Sequence, residues 1–231
     1  KNGELMAREW HEPTGRHLLA VIYSWLDGQE LAENYTDAGL RAAGIAMAKL
    51  HLATVGYQLP EGAELPLLND ALWGLESHFT EHNDKLTPEQ LTLINHGQAA
   101  AQVVYSAQFT AGEPQVIHAD MHGWNLMWDE AAGEIAVFDF DDAAIGSPLQ
   151  DLATALYYLE PGQQEIWRDG YASIAPLPEC SPADWHTLMI QRRLFLLNYI
   201  FDTSDQEAKA LLPKYLEETM RRLEVWAAGR A

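Results

Sequence analysis

Hydrophobic and polar residues alternate in the first part of the chain, as they do in half-buried β-strands. The alternation covers residues 4–10 and 17–25, which flank the sequence Glu12-Pro13-Thr14-Gly15. Two period-two segments joined by a Pro/Gly turn are typical of a β-hairpin. Because a lone hairpin is only marginally stable in water, we expect this one to need a packed partner or further strands.

After Asp27-Gly28 the apolar residues recur with the helical period of about 3.6. This pattern predicts helices over 36–53 and near 67–80. A third helix is predicted from Thr87 to about Thr110, because Thr87-Pro88-Glu89-Gln90 has the residues of a capping box with proline in the first turn. Short strands are predicted at 115–118, 126–128 and 134–140, and further helices near 149–159, 163–172, 182–201 and 206–228. This order is not a repeating βαβ pattern, so it predicts an α+β fold rather than a doubly wound sheet.

The charge balance limits the possible partners. The formal net charge is −20 at pH 7, which disfavours nucleic-acid binding, since that affinity comes from Lys and Arg on phosphates. An acidic cleft concentrates cations, so a cationic substrate is compatible with this charge, as is a merely solvated acidic surface. The single cysteine, Cys180, cannot form an intrachain disulfide, and no signal peptide or membrane-spanning run is visible. We therefore expect a cytoplasmic protein with no membrane partner.

The strongest candidate for chemistry is the segment HADMHGWN at 118–125, followed by DFDD at 139–142. On a strand, His118, Asp120 and His122 would face one side and could bind a zinc-type metal. Gly123 and the loop expected around Asp120 count against that arrangement, and no second His/Cys cluster completes the ligand set.

The same segment also has the spacing H-x-D-x-x-x-x-N of a phosphoryl-transfer loop, from His118 through Asp120 to Asn125. An apolar strand then leads to Asp139, where kinases place the Asp of D-F-G. In that chemistry an Asp accepts or orients the proton of the attacking hydroxyl. An Asn and a second Asp supply the hard oxygen ligands that Mg²⁺ prefers.

The stretch 116–155 resembles the aminoglycoside phosphotransferase-like kinases, a family that includes choline, homoserine and other small-molecule kinases and a bacterial stress-response serine/threonine kinase. The resemblance is carried by VIHADMHGWNLMWD, IAVFDFDDAAIGSP and QDLATALYYL, with weaker support from YSWLDGQEL at 23–31 and AMAKLH at 46–51. It implies a protein-kinase-like fold that consists mostly of the helical C-lobe. Residues 1–28 would be a remnant of the N-lobe sheet with the hinge, and residues 29–231 the C-lobe with its small β insert.

The resemblance also implies roles for individual residues. Asp120 would be the catalytic base or hydroxyl-orienting residue, and His118 would hold the turn at the start of the loop. Asn125 and Asp139 would bind Mg²⁺. The hinge that meets the adenine of ATP would be formed by Tyr23, Ser24 and Trp25.

Other residues in these motifs keep two interpretations. Asp151 would brace the catalytic loop, or would simply occupy a favourable place in the first turn of a helix. Asp141 and Asp142 would contact substrate, or would be solvated loop acids. His122 would help to position substrate or be an ordinary loop residue, and Trp124 is expected to be a packing anchor rather than a substrate platform.

Departures from the protein-kinase pattern shape the functional prediction. Ala119 stands where many protein kinases have an Arg, DFDD replaces D-F-G, and no A-P-E follows. These differences favour Mg²⁺-dependent transfer of the γ-phosphoryl group of ATP to a hydroxyl of an aminoglycoside-, choline- or homoserine-like molecule. No glycine-rich loop or strand Lys is present, so we expect that sequence upstream of Lys1 carries them. The alternatives are a stress-response serine/threonine kinase and a catalytically silent binding module.

Overall fold

The computed structural model describes residues 6–21, 23–80 and 85–229. Within them, seven short strands and six α-helices follow one another in nearly the predicted order. The strands are β1 (Ala7–His11), β2 (Arg16–Ala20), β3 (Gln29–Glu30), β4 (Gln115–Ile117), β5 (Leu126–Asp129), β6 (Glu134–Val137) and β7 (Ala144–Gly146). The helices are α1 (Asp37–Thr54), α2 (Pro88–Ala111), α3 (Pro148–Leu156), α4 (Pro161–Ala172), α5 (Pro182–Asp202) and α6 (Gln206–Ala228).

The N-terminal hairpin forms as predicted, although it is shorter. β1 and β2 pair antiparallel from Ala7 opposite Ala20 to His11 opposite Arg16. Gly15 adopts φ 62°, a left-handed conformation that glycine tolerates without steric cost, and it closes the turn. The second strand ends at Ala20 rather than near residue 25, and residues 4–5 and 22 lie outside the described part of the chain.

Side-chain caps fix the starts of the long helices. The Thr36 hydroxyl accepts the N–H of Gly39 at the start of α1. Thr87 and Gln90 form the predicted capping box of α2, and Ser147 begins α3 in the same way with Gln150. Each cap satisfies backbone N–H groups that have no partner inside the helix, so these helix starts follow from local sequence alone.

The predicted helix near 67–80 is wrong. The segment forms turns, because the Asp70 carboxylate accepts the N–H groups of Leu72 and Gly74 and so competes with helical hydrogen bonding. Trp73 and Gly74 also adopt positive φ values of 58° and 78°. The segment instead reaches the β insert, where the N–H of Leu68 donates to the Ile145 carbonyl at 2.8 Å.

The β insert brings the ends of the polar segments together. Its sheets have the orders β3-β5-β6 and β4-β7, and every strand pair is antiparallel. Strand β7 was not predicted, and β6 ends at Val137 rather than at residue 140. The loop 118–125 leaves β4 and enters β5, and α3 begins directly after β7, so the loop and the start of α3 lie side by side.

Two large apolar clusters hold the helices in place. The first packs α1, α3 and α4 around buried residues such as Met47, Leu156 and Trp167. The second packs α2, α5 and α6 around Ile94, Leu194 and Leu223, among others. In the described part of the chain, no helix is both long enough and apolar enough for a membrane crossing.

Candidate active site

The loop 118–125 contains a residue in the left-handed conformation, and a buried carboxylate accepts its backbone N–H. Ala119 is 1% exposed and has φ 66°, a conformation that costs a non-glycine residue about 1–2 kcal/mol. Asp151 of α3 accepts the N–H of Ala119 at 2.9 Å with Oδ1 and the N–H of His118 at 3.2 Å with Oδ2. Of the two interpretations of Asp151, this geometry matches the loop brace.

Asp151 is itself held by two other helices. His51, near the end of α1, donates from Nε2 to Asp151 Oδ2 at 2.9 Å, and its Nδ1 lies 2.9 Å from the hydroxyl of Tyr171 on α4. Burial, and then the charge of Asp151, raise the pKa of Tyr171 to about 12. Tyr171 therefore stays protonated and donates to His51, which completes a buried chain of hydrogen bonds from α4 to the loop.

His118 uses both ring nitrogens on the backbone. Its Nδ1 accepts the N–H of Asp120 at 3.3 Å, so the proton belongs on Nε2, which donates to the Phe138 carbonyl at 2.9 Å. The ring is fully buried. This is the geometry of the loop-holding role rather than of a side chain that meets substrate.

Asn125 stands at the other end of the loop and turns back toward Asp120. Its Nδ2 donates to the Asp120 carbonyl at 2.9 Å and approaches Asp120 Oδ2 at 3.4 Å. Gly123 in the turn between them lies against Tyr35, whose hydroxyl and ring would have to shift to make room for a Cβ there. The amide of Asn125 is thus fixed through its nitrogen, and among the residues that the structure describes none donates a hydrogen bond to its oxygen.

The Asp120 carboxylate lies between two basic side chains. Arg192 of α5 donates from Nη2 to Oδ1, and His122 Nε2 lies 3.3 Å from Oδ2. Burial raises the pKa of Asp120, but the His122 hydrogen bond and the Arg192 charge outweigh it, so the pKa lies below its usual value. Asp120 is therefore ionised at neutral pH, and its side chain remains 18% exposed.

Arg192 is the site residue that the sequence analysis missed. It is 4% exposed and lies 72 positions away from Asp120 in the sequence. The available signal was the pair Arg192-Arg193 inside an otherwise apolar helical stretch. Buried charges are usually paired, but the sequence alone does not identify the partner.

Asp139 follows β6 in a left-handed conformation, φ 62°, which Asp tolerates better than most residues. The preceding residue, Phe138, is bound to both ends of the loop: its N–H donates to the Asn125 carbonyl at 3.2 Å, and its carbonyl accepts from His118. Asp139 is exposed beside the loop. The backbone therefore brings Asp120, Asn125 and Asp139 to one place.

Two further carboxylates follow Asp139. Asp141 and Asp142 are both exposed. Burial raises the pKa of Asp142, and so do the negative charges of Asp120, Asp139 and Asp141, against a lowering effect of Arg192. This strip of carboxylates makes the open side of the site negative.

The predicted hinge residues and Trp124 are largely exposed to solvent. Tyr23 and Trp25 are 83% and 88% exposed, Ser24 is exposed too, and the three residues form no strand. Within the described residues their side chains make no hydrogen bond or ring contact. Trp124 is 54% exposed, so it is not a fully buried anchor.

The structure does not form the zinc-type site. Over residues 6–21, 23–80 and 85–229, no group of three or more His, Cys, Asp or Glu side chains could hold a metal ion. His118 has no free ring nitrogen, and His122 contacts Asp120 directly. The convergence of His118, Asp120 and His122 on one cation is therefore excluded.

A model of the phosphotransferase enzyme family (APH) matches residues 7–188, so the chain belongs to this family. This membership confirms the predicted resemblance and the predicted phosphotransferase class. A comparison with curated proteins gave no match.

Solved structures share the fold at low identity. The amicoumacin kinase hAmiN in complex with AMP-PNP, Ca²⁺ and Ami is 18% identical with a TM-score of 0.72, over 94% of this chain and 69% of that one. A microcompartment-associated aminopropanol kinase is 22% identical with a TM-score of 0.72, over 99% and 74%. The GDP complex of an aminoglycoside 2′-phosphotransferase-IIIa is 16% identical with a TM-score of 0.63, over 98% and 74%. The predicted kinase-like α+β fold is confirmed.

Proposed function

We propose that the natural protein containing this chain transfers the γ-phosphoryl group of ATP to a hydroxyl of a small molecule, with Mg²⁺. The observation that carries the proposal is the double hydrogen bonding of Phe138, to Asn125 at 3.2 Å and to His118 at 2.9 Å. It fixes the segment bearing Asp139 against the loop bearing Asp120 and Asn125. These are the residue types and the order that phosphoryl transfer uses.

The donor set suits Mg²⁺. Asn125 donates through its nitrogen to Asp120, and within the described residues its side-chain oxygen accepts no hydrogen bond. Asp139 is an exposed carboxylate. Mg²⁺ is commonly bound by one or two protein oxygens together with substrate phosphates and water. Asn125 and Asp139 would hold the ion, which would neutralise charge on the phosphates.

Asp120 acts on the acceptor hydroxyl. Its carboxylate is ionised, and Oδ1 is occupied by Arg192. Oδ2 is the oxygen that orients the hydroxyl and takes its proton as the new P–O bond forms, while the bond from the γ-phosphorus to the bridging oxygen breaks and ADP leaves. Its depressed pKa makes Asp120 a weak base, so orientation is the larger part of its role. His118 and Asp151 act through the loop and touch no reacting atom.

The acceptor is an aminoglycoside-, choline- or homoserine-like alcohol, and an amine-bearing one fits best. Support comes from the exposed carboxylates Asp139, Asp141 and Asp142, from the net charge of −20, and from neighbours whose names are aminopropanol kinase and aminoglycoside phosphotransferase. A negative surface concentrates cations.

The nucleotide would bind at the hinge segment. We propose that Tyr23, Ser24 and Trp25 meet the adenine, with the domain boundary near residue 28, between the hairpin and the helical lobe. Support comes from residues 23–25, which are exposed and belong to no strand. AMP-PNP and GDP are present in two of the similar structures. The cytoplasmic location stays a prediction.

The test is ATP consumption by the natural protein with Mg²⁺ against amino alcohols, sugars and aminoglycosides. We expect turnover with one acceptor class. Asp120→Ala and Asp139→Asn should lower kcat by about 10²- to 10⁴-fold, while Glu134→Gln, at an exposed carboxylate on β6, serves as the control with a much smaller effect. Absence of turnover and of ATP binding would support the silent binding module. Turnover on a protein serine alone would support the stress-kinase alternative.

A further inference from the structure

Arg192 is held in a closed aromatic site beside Asp120. Its guanidinium carbon lies 5.4, 5.5 and 5.3 Å from the ring centroids of Trp73, Tyr158 and Phe195. Its Nε and Nη2 also donate to the Tyr158 hydroxyl, at 3.2 and 2.7 Å. Cation–π contacts are strongest when they are desolvated, and this side chain is 4% exposed. The guanidinium is thus fixed from several directions before it meets Asp120.

That fixed guanidinium takes one specific oxygen of Asp120. Nη2 donates to Oδ1, while Oδ2 faces His122 at 3.3 Å and Asn125 at 3.4 Å. A carboxylate that is anchored through one oxygen cannot rotate about its last side-chain bond without losing a charge-assisted hydrogen bond. The two contacts of Oδ2 are longer than a charge-assisted hydrogen bond, so Oδ2 is the oxygen that an incoming hydroxyl can engage.

We propose that Arg192 is a positioning residue, which anchors Oδ1 of Asp120 so that Oδ2 is presented to the acceptor hydroxyl. This role rests on the proposed function. Helix α5 thereby takes part in the reaction, because its residue Arg192 sets the orientation of the Asp120 carboxylate in the loop. Such positioning has a large effect on the reaction rate, since moving a reacting group by about 1 Å can lower the rate by about 10²-fold.

The opposite possibility is that Arg192 blocks Asp120 and leaves when substrate arrives. The burial of the guanidinium argues against it. Leaving would break the contacts with Trp73, Tyr158 and Phe195 and would strand a charge in an apolar part of the helix. An anchored carboxylate is the simpler use of this arrangement, and the two roles predict opposite effects when Arg192 is removed.

The same helix offers a matched control. Arg193 is also buried, at 7% exposure, and its guanidinium stacks on Tyr215 at 3.4 Å. It donates to Thr219 Oγ1, to the Tyr157 hydroxyl and to the Tyr215 carbonyl. None of these partners is a carboxylate. Replacing Arg193 therefore disturbs the packing of α5 but removes no direct contact with Asp120.

The test compares Arg192→Lys, Arg192→Ala and Tyr158→Phe with Arg193→Lys in the natural full-length protein, using the acceptor that the wild-type protein phosphorylates. We expect Arg192→Lys and Arg192→Ala to lower kcat by about 10²-fold with little change in KM for ATP. Tyr158→Phe should lower kcat by a smaller factor, and Arg193→Lys should leave kcat near wild type. Thermal unfolding identifies any variant that fails to fold.

Chemical rescue separates positioning from packing. Removal of the side chain in Arg192→Ala leaves a site lined by Trp73, Tyr158 and Phe195, which suits a free guanidinium ion. Guanidinium chloride at millimolar concentration should restore part of kcat in this variant, whereas sodium chloride at equal ionic strength should not. If Arg192→Ala does not fold, Arg192→Lys and Tyr158→Phe decide the question.

Different results overturn different claims. Wild-type kcat in both Arg192→Lys and Tyr158→Phe, or a faster Arg192→Ala, would overturn the positioning role while the proposed function stands. Wild-type kcat in Asp120→Ala, or no turnover by the wild-type protein on any acceptor, would overturn the proposed function and this role with it.

Discussion

Asp151 and Ala119 lie 32 positions apart in the sequence, and their contact fixes the backbone of the candidate catalytic loop. The Asp151 carboxylate accepts the Ala119 N–H at 2.9 Å, where Ala119 has φ 66°. A buried acid on one helix thus maintains a strained residue that directly precedes Asp120. Strained backbone of this kind persists only where its surroundings enforce it.

Asp151→Asn should therefore destabilise the protein and also lower its activity. The amide can accept at one position only, so a loop N–H or His51 Nε2 loses its partner. One buried unsatisfied group costs about 1–3 kcal/mol. Urea unfolding should show a loss in that range. Asp169→Asn is the control: Asp169 forms an exposed ion pair with Arg41 at 3.8 Å, and its loss should change stability by less than about 0.5 kcal/mol. Equal losses in the two variants would contradict the buried brace.

Two buried alanines of one cluster allow the backbone strain to be measured. Ala119 and Ala144 are 1% and 0% exposed and pack together with Ile117 and Leu68. Each loses a buried methyl group on mutation to Gly, but only Ala119 has a positive φ. Gly relieves a left-handed penalty of about 1–2 kcal/mol there. Ala119→Gly should thus be more stable than Ala144→Gly by about that amount in denaturant unfolding. Equal stabilities would mean that the loop is not strained.

Much of this loop could be predicted, because its signals are local. The order His118, Asp120, Asn125 is a spacing along the chain, and outside the loop the capping box of α2 joins Thr87 to Gln90 only three positions on. The contact between Arg192 and Asp120 could not be predicted, since it spans 72 positions and depends on how α5 packs. The helix predicted near 67–80 does not form for a local reason, because the Asp70 carboxylate accepts two backbone N–H groups and so interrupts helical hydrogen bonding. Strand β7 has the sequence Ala-Ile-Gly, and Ala and Gly are depleted in strands, whereas the equally short β4 has the sequence Gln-Val-Ile with two β-branched residues.

A surface cluster on α6 predicts a small pH dependence of stability. Glu218 accepts from Arg221 at 2.7 Å and from Arg222 at 2.8 Å, and these hydrogen bonds lower its pKa from 4.5 to about 2. A depressed pKa stabilises the folded state above pH 4.5, and this contribution is lost as pH falls from 4.5 toward 2. The side chain is 34% exposed, so solvent screening limits the contribution to about 1 kcal/mol or less.

Glu218→Gln should therefore cost less than about 1 kcal/mol near neutral pH, and the gap to wild type should narrow as the solution is acidified below pH 4.5. Urea unfolding over a pH series measures this gap. The adjacent Glu217→Gln serves as the control. A gap that stays constant with pH would show that the two arginines do not hold the Glu218 carboxylate in solution.

The contact between α1 and α4 supports the site from a distance. Gly44 and Gly170 let the two helices approach closely: a Cβ on Gly170 would collide with the Arg41 carbonyl, and one on Gly44 with the Trp167 carbonyl. The next residue after Gly170 is Tyr171, which holds His51 and through it Asp151. Separation of these helices therefore loosens the hydrogen-bond chain that ends at the loop.

Gly170→Ala should destabilise the protein by about 1–3 kcal/mol, because the colliding atoms belong to backbone that cannot move aside. Its kcat should also fall, since Tyr171 shifts with the helix. Gly162→Ala is the matched control in the first turn of α4, where an added methyl group meets nothing within 4 Å. That change should stabilise the helix by up to about 1 kcal/mol. Urea unfolding and kcat, measured on both variants, check the prediction. A destabilised Gly170→Ala with wild-type kcat would show that the loop does not depend on the packing of α1 against α4.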